Sequence, residues 1–261
     1  MKINSANISN TAESNKSELS FEKLSSGKKI NSAKDNAAAI QILSRVLSEQ
    51  GGSVVAIRNA NDGVSYSQVA ENALQSVSDN LIRVEEFAIQ ANNGALSSND
   101  RKAIQSEVLQ LQSEIEQTIE STNFAGKPIF SGESVEFKVS ASQAGPQSLN
   151  INVSDVVEQL ANFDVSTQLK AGQSLDLAQN LREQVSEQQS EVASFSNSIY
   201  RSINANQETQ IASTATQERI ESTDYALETA KNVSSQLQQD ISVALRVQSN
   251  ALPSGIEQLL N

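Results

Sequence analysis

The sequence predicts a mainly α protein: long antiparallel α-helical coiled-coil rods with one small β-hairpin region. Three observations carry this. The stretch 43–91 has no proline, and its apolar residues fall at helical spacing. A second stretch with the same period begins near residue 174 and continues toward the C-terminus. Between them lies the one segment with the alternation of a strand pair.

Composition agrees. Of 261 residues, 38% are hydrophobic but only 4% aromatic, with no Trp. That is thin for a globular core and ordinary for helical coils, which seal a seam with Leu, Ile, Val and Ala. The net charge of −12 argues against non-specific binding to nucleic acid or to an anionic membrane. There is no Cys and no His. Disulfides, thiolate nucleophiles and zinc-thiolate sites are therefore excluded, and the commonest general base and metal ligand is missing. No catalytic residue, metal site or cofactor is expected. Cysteine avoidance also suits a chain that crosses an oxidising space unfolded. The start, Met1-Lys2-Ile3-Asn4-Ser5, is polar. Nothing resembles a cleaved signal peptide or approaches the ~18 apolar residues of a membrane span. A cytoplasmic protein and one exported without cleavage fit equally.

Residues 1 to about 32 are weakly amphipathic. Ile3, Ile8, Leu19 and Leu24 sit among Ser and Asn, which compete with helix through their own hydrogen bonds. Such a segment folds when a partner covers its stripe. Gly27, beside Lys28 and Lys29, reads as a helix end. Ser32-Ala33-Lys34-Asp35 reads as the cap of a helix beginning near Asp35. In the first rod Leu74, Val77, Leu81, Val84, Ala88 and Ala91 step by three and four, a heptad seam. A rod of this length spans on the order of 75 Å and needs a partner of similar length. Gly51-Gly52 and Asp62-Gly63 are candidate kinks or close-approach points. Asn92-Asn93-Gly94 ends the rod. Ser98-Asn99-Asp100 caps a second helix with the stripe Ile104, Val108, Leu111, Ile115 and Ile119.

Phe124-Ala125-Gly126-Lys127-Pro128 is turn chemistry. Val135, Phe137 and Val139 alternate with polar neighbours, as do Leu149, Ile151 and Val153, and together they predict the only hairpin, near 128–155. Residues 157–174 carry no assignment. The second rod bears Leu181, Val185, Gln188, Val192, Phe195, Ile199 and Ile203. Glu221-Ser222-Thr223-Asp224 breaks or caps it. A last helix carries Val233, Leu237, Ile241, Leu245 and Leu252, and Pro253-Ser254-Gly255 stops it. The domain plan is then a terminal-helix part, 1–34 with 224–261, and a rod part, 35–223. Partly disordered apolar ends beside a stable rod suit self-assembly.

Several runs resemble one family. Glu22-Lys23-Leu24-Ser25-Ser26-Gly27-Lys28-Lys29-Ile30-Asn31-Ser32-Ala33-Lys34-Asp35 resembles the N-terminal signature of bacterial flagellin. Arg58-Asn59-Ala60-Asn61-Asp62-Gly63 is similar to that family's RNANDG run. Leu81 to Gln90 resembles its LQRVRELAVQ segment, with Glu85 where the family has Arg. Arg219 to Ala226 resembles its RIEDADYA. The resemblance covers roughly 1–155 and 175–261, without the large variable outer domain of many flagellins.

The resemblance implies a structural subunit of the flagellar filament, not an enzyme. It implies export through the flagellar type III channel and an extracellular location. The implied partners are further copies in a homopolymer, the flagellar cap and hook-associated proteins, and an export chaperone on the C-terminal helix. Host Toll-like receptor 5 is implied too, through a patch at Arg83, Val84, Phe87, Gln90 and Glu107. For any one of these charges, a plain solvated helix face is the competing reading. Polymerisation falls to Ile3, Ile8, Leu19, Leu24, Val233, Leu237, Ile241, Leu245 and Leu252. The nearest alternative is a hook–filament junction protein, a trace component where a filament subunit is abundant. Glu85-Glu86 as an acid/base pair is disfavoured, because adjacent helix positions face different ways.

Overall fold

The computed structural model describes residues 3–140 and 145–259, and the side chains among them except those of 3–14, 246 and 249–259. The described elements are, in order, α1 (Ile3–Ser26), α2 (Ala37–Ala91), α3 (Ser98–Ser121), β1 (Asn123–Phe124), β2 (Lys127–Pro128), β3 (Val135–Phe137), β4 (Gln147–Leu149), α4 (Ser154–Leu160), α5 (Gln168–Glu221) and α6 (Tyr225–Leu259). The chain divides into two compact units, 1–50 with 211–261, and 51–210.

In the first unit α1 and α6 pack together, and the segments that lead out of α1 and into α6 are tied by backbone hydrogen bonds. α1 stops because Gly27 takes the left-handed conformation, with φ +69°. Beyond it, Lys29 N–H donates to the Glu221 carbonyl at 2.6 Å, and Thr223 N–H donates to the Gly27 carbonyl at 3.2 Å. Lys28 and Ser222 form an antiparallel bridge, reinforced by an ion pair between Lys28 and Glu221.

The start of α2 differs from expectation. Its cap is Asn36, whose Oδ1 accepts the Ala39 N–H at 3.0 Å. Asp35 instead closes the preceding turn, its carboxylate accepting the Asn31 and Ser32 N–H groups at 3.0 and 2.9 Å. α6 is capped by Asp224, which accepts the Leu227 N–H at 3.0 Å. Pro253 does not stop α6, which continues to Leu259. A proline inside a helix removes one N–H from the ladder, and here the element persists across it.

The second unit is built on one apolar cluster drawn from α2, α3, α5 and the residues between them. All six heptad residues of α2, Leu74 to Ala91, are fully buried. α3 buries the predicted Ile104, Val108, Leu111, Ile115 and Ile119. Its start is a full capping box: Ser97 Oγ accepts the Asp100 N–H at 3.3 Å, and Asp100 accepts the Ser97 N–H at 3.0 Å. α5 buries Leu181, Val185, Val192, Phe195, Ile199 and Ile203. Gln188 is half-buried and accepts the Asn152 N–H at 3.1 Å. α2 and α5 run antiparallel, since Gly94 lies near Gln168, Glu85 pairs with Arg182, and Gly63 lies against Ile199. α2 is unbroken through its glycines. A Cβ at Gly63 would meet Phe137 at 3.4 Å and Ile199 at 3.5 Å, ordinary van der Waals contact. Gly51 faces open space.

The hairpin pairs Val135 with Leu149 and Phe137 with Gln147. It is not the only strand pair. Asn123–Phe124 pairs with Lys127–Pro128 across Ala125 and Gly126, both at positive φ, +51° and +81°. Two residues with φ > 0 give the tight turn that matches strand twist. α4, which buries Val156 and Leu160, starts ahead of the unassigned stretch and ends inside it, and the same stretch holds the first turn of α5, where Lys170 N–H donates to Thr167 Oγ1 at 3.3 Å.

Candidate functional site

Among the described side chains, the contacts between α1 and α6 are made by polar groups. The positions of α6 turned to α1 include Glu228, Asn232 and Ser235, spaced four and three apart, as in a heptad seam made of polar residues. Ser20 Oγ donates to Glu228 Oε1 at 2.9 Å, Lys231 Nζ donates to Glu228 Oε2 at 3.1 Å, and Asn232 Nδ2 donates to the Ser17 carbonyl at 3.2 Å. Ser20 and Glu228 are each only 6% exposed. Burial works to raise the Glu228 carboxyl, but the Lys231 and Ser20 hydrogen bonds outweigh it and hold it below the ordinary range.

The apolar residues of α6 lie on the outside. Val233, Leu237, Ile241 and Leu245 are 51% to 60% exposed. Leu227, Val243 and Val247 are equally open, as is Phe21 on α1. Periodicity alone passes over these four because they lie off the chosen stripe. Leu19 is partly exposed and Leu24 half-buried. The side chains of Ile3, Ile8 and Leu252 lie outside the described residues. An exposed apolar stripe on a helix whose other face is satisfied is a surface made to be covered. Chemically the arrangement offers burial, with hydrogen bonds already made on its inner side.

Of the five residues in the receptor patch, Arg83, Gln90 and Glu107 are exposed, on α2 and α3. Phe87 packs against the core and is half-buried. Val84 is fully buried, in line with the other heptad residues of α2. Glu85 forms an ion pair with Arg182 of α5 and accepts from Gln179 Nε2 at 3.2 Å. It is a helix-to-helix tie.

The second unit also carries an open groove of about 570 Å³ beside the two strand pairs. Tyr66, Phe124 and Phe137 line it, with ring centroids 5.6 Å apart in each pair made by Tyr66. The Tyr66 hydroxyl donates to the Ile129 carbonyl at 3.4 Å, and burial raises its pKa. Among the described residues there is no cluster of acidic side chains able to hold a metal ion, and no helix long and apolar enough to cross a membrane.

The family model for the bacterial flagellin N-terminal helical region matches residues 1–135. Flagellin C of Vibrio anguillarum is 41% identical over 141 residues, which cover 53% of this chain and 37% of that protein. The chain thus spans little more than a third of the curated relative's length. Two solved structures share the fold. The crystal structure of Bacillus cereus flagellin aligns with a TM-score of 0.54 at 21% identity, over 57% of this chain and 88% of that one. A protein described as a flagellar hook-associated protein, from Vibrio parahaemolyticus, aligns with a TM-score of 0.62 at 15% identity, over 72% of this chain and all of that one.

Proposed function

Because the chain belongs to the bacterial flagellin family, we propose that it is a structural, non-enzymatic subunit of the flagellar filament, exported to the cell exterior and polymerised there. The observation that carries this is the placement of apolar residues on α6. They are exposed while the α1–α6 seam is satisfied by polar groups. Neighbouring copies burying that stripe would supply the driving force, at roughly 25 cal/mol per Å² of apolar surface. Residues 1–34 and 224–261 form the assembling part, and 35–223 the part that packs laterally and gives the filament its stiffness. The cap, the hook-associated proteins and an export chaperone on α6 are the further partners.

Seeded polymerisation of the purified chain, watched by negative-stain electron microscopy beside a 35–223 truncation, tests this reading. Filaments from the full chain and none from the truncation are expected. A full chain that stays monomeric on seeds contradicts it. Abundance separates the reading from a junction protein, since a filament subunit dominates sheared surface material.

Arg83, Gln90 and Glu107 are the exposed part of the receptor patch, and a monomer is expected to activate Toll-like receptor 5. A dose series on receptor-expressing cells with no response, beside an active flagellin control, contradicts that expectation.

A further inference from the structure

Charge is divided unevenly along the chain. Residues 1–50 and 211–261 hold ten basic and eleven acidic residues, whereas 51–210 hold nine basic and twenty acidic ones. Within the near-neutral unit the cations gather. Lys23 from α1, Lys29 and Lys34 from the α1–α2 connection and Arg219 from α5 surround an open groove of about 560 Å³, with Ile30, Ala39 and Ile220 also in its lining. Among the described residues, none of the four has a carboxylate partner within 4.0 Å. The one carboxylate lining the groove, Asp35, is occupied by the Asn31 and Ser32 N–H groups and by the Ser32 hydroxyl.

The acidic unit offers a matching surface. Asp176, Glu183, Glu187 and Glu191 on α5 are all exposed. Their spacing of seven, four and four places them along one face of the helix. Asp176 and Glu191 are ~22 Å apart along the axis at ~1.5 Å per residue. None of these four forms an ion pair within the described residues.

We propose that the basic groove is an electrostatic socket for the Asp176–Glu191 face of α5 from a second copy of this chain. The inference rests on the filament reading and deepens it. The apolar stripe of α6 supplies adhesion, and the socket fixes which neighbouring copy is accepted and in what register. A nucleic acid would meet a chain of net charge −12, whereas another copy brings the acidic face with it.

Zero-length carbodiimide cross-linking of filaments assembled from equal amounts of ¹⁴N- and ¹⁵N-labelled chain tests the proposal. Mixed-isotope cross-links from Lys29 or Lys34 to Glu183, Glu187 or Glu191 are expected. A second arm combines Lys29→Glu, Lys34→Glu and Arg219→Glu, which should slow seeded elongation at least tenfold while helicity stays unchanged. Adding Glu183→Lys, Glu187→Lys and Glu191→Lys should restore most of the rate. Filaments with no mixed-isotope cross-link at the groove, or a reversed triple variant that elongates normally, overturn the socket and leave the filament reading intact. A wild-type chain that fails to elongate overturns both. If the reversed variant does not fold, the cross-links alone decide.

Discussion

The phenolic oxygen of Tyr225 stands 2.6 Å from the place a β-carbon on Gly27 would occupy. The residue that follows α1 and the first residue of α6 are thus in contact where the two connecting segments are bridged. Gly27 also holds φ at +69°. The Tyr225 ring is 58% exposed and can swing aside, so the backbone conformation dominates the effect of a side chain there. Gly27→Ala should destabilise the first unit by about 1 kcal/mol. Adding Tyr225→Phe should recover little of it. Urea unfolding followed by circular dichroism measures both, and full recovery in the double variant would make the steric contact the larger effect.

Leu81 and Leu237 are the same residue in opposite settings, fully buried and 59% exposed. Leu81→Ala should lower stability by about 2–5 kcal/mol through lost burial and a residual cavity. Leu237→Ala should leave the monomer within about 0.5 kcal/mol of wild type and raise the concentration needed for assembly. Denaturation midpoints and pelleting assays on the two variants check the contrast.

Arg101 closes the turn between α2 and α3. Its guanidinium donates to the carbonyls of Ala91, Leu96 and Asn93 at 2.8, 2.9 and 2.9 Å. Arg101→Ala should cost about 1–3 kcal/mol, and Arg101→Lys should rescue only part, because one ammonium does not reproduce the planar fork. Hydrogen exchange at residues 92–97 is the readout, with faster exchange expected in both variants.

Asp35, Asp100, Asp164, Glu221 and Glu228 are all held below their ordinary range and together set the acid limit. The Lys170 hydrogen bond, with those from Ser166, holds Asp164 down to about 2 from 3.8. Glu221 is lowered by Lys28 and then Gln217, and Glu228 by Lys231 and Ser20 against its burial. A depressed folded pKa contributes stability above the unfolded value and loses it as pH falls through the folded one. For the two glutamates the loss begins below about 4.5, and for Asp164 it runs from about 4 to about 2. Denaturation midpoints should fall across that window. Asp164→Asn should flatten the lower part and Glu228→Gln the upper.

The buried seams were legible because a helix packed on one side must repeat its apolar residues every three or four positions, and Leu74 through Ala91 do so. α4 was not, because its seven residues give barely two turns and Val153 makes no side-chain cap. β1 and β2 are two residues each, too short for alternation to register. The Arg182–Glu85 pair joins positions 97 apart, which spacing along one chain does not reveal. Val84 shows two readings in conflict: the heptad puts it inside and the family motif puts it on a surface patch. In the structure Val84 is buried with the rest of the heptad. The polar α1–α6 seam was not legible because apolar periodicity marks only apolar contact faces, and at Ser20, Glu228 and Asn232 the contact face is hydrophilic.

Burial of the exposed α6 stripe by neighbouring copies is tested most directly by hydrogen exchange of residues 225–248, compared between monomer and assembled filament. Strong slowing is expected in the filament at the peptides carrying Val233, Leu237, Ile241 and Leu245, beyond any change in the already buried seam around Leu81. Filaments whose α6 exchanges as fast as it does in the monomer would contradict it.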